Sequence, residues 1–283
     1  MAFSYQAVHP APADIVLAAP VRTPIGKFGG ALSTLTAVDL GVAAGMEALR
    51  RSGVSGTDLG EVIFGCARQA GLGPNAARQI GWRCGTGASV PAFTVNKACG
   101  SGLKAIILAA QAIRADDAGI VLAGGTESMS RVPYLVEAAR WGTKLGDAPL
   151  IDGMYRDGFL CPLCDQLMGN TAENLADRYE IPRQEQDRYA AWSQNRTEAA
   201  RRAGRFRDEI VPIEVVDHHG GSRTVDADEH PRDGVTSEKL AGLRPVFRRD
   251  GTVHAGNASG ITDGAAALLA MPLSRARRLG LPG

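Results

Sequence analysis

The sequence predicts an α/β fold, a mainly parallel sheet with helices on its faces, interrupted late in the chain by a long charged insertion. Short apolar runs at 15–19, 62–64, 92–95 and 120–123 alternate with helix-period stretches, the pattern of strands joined by helical crossovers. From about 126 to 251 the alternation gives way to charged helical runs with many arginines. An apolar strand pattern returns at 265–271, so the sheet is completed by a segment far from its first strands.

Residues 15–19 read as a buried strand, followed by a Pro/Gly-rich loop to Gly30. Leu35, Val38, Val42, Met46 and Leu49 recur at helical spacing and make an amphipathic helix that stops around Gly53. The second strand is 62–64, and Pro74 opens a helix through Ala77 and Ile80. The third strand, 92–95, leads into Asn96-Lys97-Ala98-Cys99-Gly100-Ser101-Gly102. A helix follows, with Leu103, Ile106, Ile107, Ala110 and Ile113 read as its one buried face. The fourth strand, 120–123, ends at Gly124-Gly125. In the insertion, 171–180 and 183–203 are helices, and 211–216 with 223–225 form a hairpin whose paired His218 and His219 are solvated turn residues. A basic helix at 274–279 follows the last strand. The organisation expected is a flexible extension over 1–13, a core of 14–125 and 252–283, and an inserted α+β loop domain over 126–251.

The chain has 283 residues, 45% of them hydrophobic and 22% charged, enough for one large or two ordinary domains. A formal net charge of +1 gives no reason to expect nucleic acid or a membrane surface as partner. No apolar run approaches the roughly 20 residues of a membrane helix, and the N-terminus lacks the regions of a secretory signal. The expected location is cytoplasmic. Five cysteines at irregular spacing argue against a disulfide framework. Cys161-Pro162-Leu163-Cys164 has no second pair to complete a zinc site, so it reads as two loop cysteines lining a pocket, and no metal is expected.

Cys99 is the candidate nucleophile. It stands in a small-residue turn between a strand and a helix, where free backbone N–H groups and the helix dipole favour a thiolate. The glycines after it let another molecule come close to the sulfur. The bland alternative is a small buried hydrophobe.

The run N-K-A-C-G-S-G-L-K-A resembles the nucleophile motif of the thiolases, the acyl-CoA acetyltransferases. Arg22-Thr23-Pro24 with Gly26 and Gly29-Gly30 is similar to that family's opening segment. Further similar strings are G-G-T-E-S-M-S at 124–130, M-G-N-T-A-E-N at 168–174, G-R-F-R-D-E-I-V-P at 204–212 and V-D-A-D-E-H-P-R at 225–232. L-R-P-V-F at 243–247 and H-A-G-N-A-S-G-I-T-D-G-A-A-A at 254–267 complete the set, in family order from about residue 14.

The resemblance implies one βαβαβαββ half of the thiolase fold, a five-stranded mixed sheet with helices on both faces, with the loop domain inserted. It implies Claisen condensation, or thiolytic cleavage of 3-ketoacyl-CoA, through an acyl-cysteine on Cys99. The Cys99 N–H would be one oxyanion donor. Arg232, Ser259, Met168, Phe159 and Leu243 are the implied substrate and coenzyme A contacts. Taken alone, Arg232 reads as a solvated loop charge and Ser259 as a turn residue. Leu167 stands where short-chain members carry a histidine, which speaks against acetoacetyl specificity. The resemblance further implies no permanently bound cofactor, coenzyme A and acyl-CoA as substrates, a role in fatty acid and lipid metabolism, and a homo-oligomer (dimer or tetramer) or a separately encoded C-terminal half as partner. The family's Gly-His-Pro, Asn-Glu-Ala-Phe and Cys-x-Gly-Gly motifs do not occur in these residues. His254 looks structural. Without a base, the alternative expectation is an inactive truncated thiolase that binds coenzyme A or supports oligomers. A β-ketoacyl synthase is a third, disfavoured by the strings at 168–174 and 225–232.

Overall fold

The computed structural model describes residues 14–216 and 221–281. Expectations for 1–13, for the His218-His219-Gly220 turn and for 282–283 fall outside the described residues.

The chain enters on β1 (Ile15–Arg22), followed by the short β2 (Gly26–Lys27) and α1 (Ala37–Ser52). β1 continues past Pro20 to Arg22 instead of stopping at 19. It lies at the sheet edge, where a proline costs no ladder bond, and its register shifts between Ala18 and Val21. Helix α1 starts at a capping box, in which Thr36 Oγ1 accepts from the Asp39 N–H and the Asp39 carboxylate accepts from the Thr36 N–H. It ends at Gly53, which has φ +66°, a conformation open to glycine without a Cβ penalty.

Strand β3 (Glu61–Gly65), α2 (Ala76–Arg83), β4 (Ala92–Val95), α3 (Ser101–Arg114) and β5 (Val121–Ser128) follow in strict alternation. Helix α2 begins at Ala76, not at Pro74, because Asn75 in the left-handed region caps it through the Arg78 N–H. Four short hairpin strands come next, β6 (Tyr134–Leu135) with β7 (Ile151–Asp152), then β8 (Leu160–Cys161) with β9 (Gln166–Leu167). Helices α4 (Met168–Arg178) and α5 (Arg183–Arg202) precede the hairpin of β10 (Ile213–Val216) and β11 (Ser222–Val225). After α6 (Ser237–Ala241) the chain returns to the sheet as β12 (Thr262–Pro272) and closes with α7 (Leu273–Arg278).

The main sheet has the order β1-β12-β5-β3-β4, with β2 also on β12. β5, β3 and β4 are parallel, and β12 is antiparallel to β1, β2 and β5. Alternation along the strands splits the core in two. Val62, Phe64 and Leu122 face α1 and α2 with Leu40, Ala44 and Ile80, whereas Ile63, Val121 and Ala123 face α3 with Ala105, Ala109 and Ile113. The sheet is mixed and carries helices on both faces.

Two expectations are corrected here. The buried stripe of α3 is Ser101, Ala105, Ala109 and Ile113, while Leu103 is 65% and Ile107 43% exposed. The helix lies so close to the sheet that only small side chains fit beneath it. A Cβ on Gly65 would stand 2.3 Å from the Ser101 carbonyl carbon, and one on Gly125 3.0 Å from Gly102 Cα. Strand β5 does not end at Gly124-Gly125 but runs through them to Ser128. Those glycines are there for approach: a Cβ on Gly124 would meet the Ala266 oxygen at 2.3 Å and the Phe64 ring at 2.6 Å.

The charged segment is stapled to the sheet at Arg22. Its guanidinium grips both Asp228 oxygens (2.7 and 2.9 Å), reaches Glu209 at 2.6 Å and stacks over Phe206. Asp228 also accepts from the Ile25 N–H, and Glu229 from the Lys27 and Ala31 N–H groups. The acidic run 226–229 therefore acts as a belt on the loop after β1.

Candidate active site

Cys99 lies beyond the C-terminal end of β4 in a turn locked from both sides. The Asn96 side chain accepts the Ala98 N–H at 2.9 Å and donates to the Ala67 carbonyl at 3.1 Å. The buried Ser101 hydroxyl accepts the Lys97 N–H (2.8 Å) and donates to the Ala98 carbonyl (2.6 Å). These bonds hold Ala98 at φ +47°, a left-handed conformation that costs a non-glycine residue on the order of 1 kcal/mol. The result is an exposed Cys99 one residue before Gly100, the N-cap of the helix. Among the described residues neither its thiol nor its backbone N–H has a hydrogen-bond partner.

The other cysteines differ. Cys66 is pushed up to about 12 by burial and by the neighbouring Glu127, and Cys84 to about 12 by burial. Cys161 and Cys164 occupy the β8–β9 turn.

Sequence reasoning did not single out Glu127 and Arg68. Glu127, on β5, accepts the Ala67 and Arg68 N–H groups, both at 3.0 Å. The Arg68 guanidinium is nine-tenths buried, 3.9 Å from Glu127, and lies 5.1 Å over the Phe159 ring. Because Ala67 carries the carbonyl that Asn96 grips, this chain links Phe159 to the Cys99 turn. An acidic residue inside an otherwise apolar strand is the signal that could have exposed it.

Three of the remaining candidates gather around the 254–260 loop. A Cβ on Gly256 would stand 2.7 Å from Leu243 Cδ1, and one on Gly260 would overlap the His230 ring, so Leu243 and His230 flank the loop that exposes Ser259. Arg232, two residues past His230, is anchored by its backbone N–H to Gln194, and its exposed guanidinium has no protein partner among the described residues. A cavity of about 730 Å³ beside this loop is lined by Tyr189, Trp192, Gln194, Gly256, Asn257 and Ala258. Met168, 43% exposed, heads α4 and joins the Leu243 segment indirectly, through Gly169 against the Phe247 ring and Asn170 on the Phe247 carbonyl.

The described histidines are committed elsewhere. His254 is fully buried; its Nδ1 accepts the Gly256 N–H, so Nε2 carries the proton donated to Asp187 at 2.7 Å. Asp187 is further held by Arg183 and Asn257. His230 Nε2 bonds the Ile261 carbonyl. Among the described residues no cluster of three or more metal-ligating side chains occurs.

The fold and the turn define a class: an α/β protein that presents one exposed cysteine at the head of a helix, beyond the ends of parallel strands. Comparison narrows it. Residues 15–274 match a family model described as the thiolase N-terminal domain. An acetyl-CoA acetyltransferase of Pseudomonas aeruginosa is 49% identical over 269 residues, covering 95% of this chain and 68% of the relative. The crystal structure of the Bacillus anthracis acetyl-CoA acetyltransferase superposes with a TM-score of 0.90 at 40% identity, covering 96% of this chain and 68% of that one. Human mitochondrial 3-ketoacyl-CoA thiolase in complex with CoA gives 0.89 at 41% identity, covering 95% and 67%. The chain belongs to the thiolase family.

Proposed function

We propose that this thiolase is an acyl-CoA acetyltransferase that works through an acyl-thioester on Cys99. The observation that carries the reading is the turn itself: an exposed thiol with a free N–H beside it, on a backbone strained into place, in a chain of this family. The Cys99 thiolate attacks the thioester carbonyl carbon, a C–S bond forms, and the oxyanion accepts from the Cys99 N–H. Coenzyme A leaves as its thiolate. A second acyl-CoA loses its α-proton, which in the net reaction ends on the released coenzyme A as its thiol. The enolate forms a C–C bond to the acyl carbon, the C–S bond to Cys99 breaks and its thiolate is regenerated; thiolysis is the reverse.

In this reading Arg232 supplies a planar cation to the adenine and phosphate end of coenzyme A. Ser259 and Leu243 meet the pantetheine arm, and Phe159 and Met168 border the acyl group. The unpartnered guanidinium of Arg232 and the way Leu243 and His230 bracket the Ser259 loop support these roles. No helix among the described residues is long and apolar enough to cross a membrane. The reading puts the protein in the cytoplasm as a homo-oligomer.

The test is intact-mass spectrometry after incubation with acetyl-CoA. One acetyl group is gained, it maps to Cys99, and Cys99→Ser abolishes it. An unmodified Cys99 after prolonged incubation would sink the reading.

A further inference from the structure

The sequence contains one cysteine pair that the acyl-transfer reading does not use. Strands β8 and β9 pair Leu160 with Leu167 and Cys161 with Gln166, so 162–165 form a tight reverse turn. The Asp165 N–H closes it on the Cys161 carbonyl at 2.8 Å, with Asp165 itself at φ +52°. The turn projects outward, with Leu163 94% exposed and Cys164 exposed. Cys161 opens this closed turn and Cys164 lies three positions on within it, a separation that a reverse turn brings into the range a disulfide spans.

The two thiols are unequal. The Leu163 N–H first, then the Cys164 thiol and the Cys164 N–H, hold the Cys161 thiol below its ordinary value. Giving its S–H to Cys161 raises Cys164. A thiol below its ordinary value, with a second cysteine in the same closed turn, is what dithiol–disulfide exchange requires. The metal alternative fails for want of ligands, since among the described residues no third metal-ligating side chain joins the pair.

We propose that Cys161 and Cys164 form a redox-active dithiol, a modification site that closes reversibly to an intramolecular disulfide by exchange with low-molecular-weight disulfides. The Cys161 thiolate attacks one sulfur of the disulfide, an S–S bond forms, and one small thiolate leaves. Cys164 gives its proton to water and attacks the Cys161 sulfur, releasing the second small thiolate. The dithiol loses two electrons and two protons while the small disulfide is reduced to two thiols. The ring so formed fixes the turn between Phe159, stacked on Arg68, and Met168 at the head of α4. The proposal is independent of acetyl transfer at Cys99.

The experiment treats the full chain with glutathione disulfide, blocks remaining thiols by alkylation, and reads the peptide containing 161–164 by mass spectrometry. The expected peptide escapes alkylation at both cysteines and is about two mass units lighter than the dithiol; dithiothreitol restores both sites. Cys164→Ser removes the resolving thiol and traps a glutathione adduct on Cys161. In Cys161→Ser the adduct forms on Cys164 and likewise persists, because no resolving thiol remains. Full alkylation of 161–164 while Cys99 takes up the glutathione would overturn the proposal.

Discussion

Gly65→Ala puts the positioning of Cys99 to a direct test. Gly65 ends β3 beneath the first turn of α3, and a Cβ there would lie 2.3 Å from the Ser101 carbonyl carbon and 2.5 Å from the Gly102 nitrogen. Carbon atoms pack at about 3.5 Å or more, so the helix head must retreat by roughly 1 Å. The obstructing atoms are backbone, tied to Lys97 and Ala98 through the Ser101 hydroxyl, and no rotamer change relieves them. Overpacking of this kind costs about 1–3 kcal/mol, and backbone against backbone belongs at the upper end. Gly102→Ala is the control on the same helix. Its Cβ meets nothing nearer than Gly125 Cα at 3.5 Å, an ordinary contact, and alanine in a helix is worth up to about 1 kcal/mol over glycine. Urea unfolding should move the midpoint down for Gly65→Ala and leave it level or higher for Gly102→Ala. The rate of Cys99 alkylation should change only in the former. If Gly65→Ala matches the parent in both midpoint and Cys99 alkylation, the close-approach argument is wrong.

Glu127→Ala leaves the Ala67 and Arg68 N–H groups without their acceptor and the buried Arg68 guanidinium without its counter-charge. A loss of about 3 kcal/mol is expected by denaturant titration, with faster proteolysis near Phe159. Burial pulls the Glu173 carboxyl upward, but the Val253 and Thr252 N–H groups, the Thr252 hydroxyl and Arg248 outweigh it and hold the group below its ordinary 4.5. A depressed folded-state value stabilises the protein above the unfolded-state 4.5 and loses that contribution as pH falls through the lower folded value. Glu173→Gln should therefore flatten the acid limb of a stability-against-pH curve; an unchanged slope below pH 4.5 would contradict this.

How far the fold could be read from the sequence depended on whether neighbours in space were neighbours in pattern. The strands and crossovers around 62–64, 92–95 and 120–123 stand out because each run is apolar and bounded by turn residues. The face of α3 did not, because hydrophobic periodicity assumes that the largest side chains go inward. Here glycines on β3 and β5 bring the helix so close that alanines are buried and Leu103 is left outside. Cys99 was legible through its small-residue turn. Asn96 and Ser101, which hold that turn, lie in the same motif, but their bonds to Ala67 and Lys97 require coordinates. Glu127 left a signal as an acidic residue inside an apolar strand, but Arg68 left none: an arginine after a strand reads as solvated until Phe159, 91 positions on, is seen to cover it.

The place of β12 bears on how the chain reaches this structure. Strand β12 follows the other strands of the sheet in sequence yet sits near its middle, pairing Val16 with Met271 on one side and Leu122 with Leu269 on the other. Until it arrives, β1 has no partner strand in the sheet, only the Arg22 backbone bonds to Glu209 and Val211, and β5 presents an open edge to the whole charged segment that precedes β12. Pairings so distant in sequence close large loops before they return any stability, which slows folding and prolongs the life of unpaired strands. The parallel trio β3-β4-β5 can assemble early with α2 and α3, carrying the Cys99 turn with it. The nucleophile's cradle therefore forms from local sequence, and the insertion is docked onto it only when β12 locks the sheet.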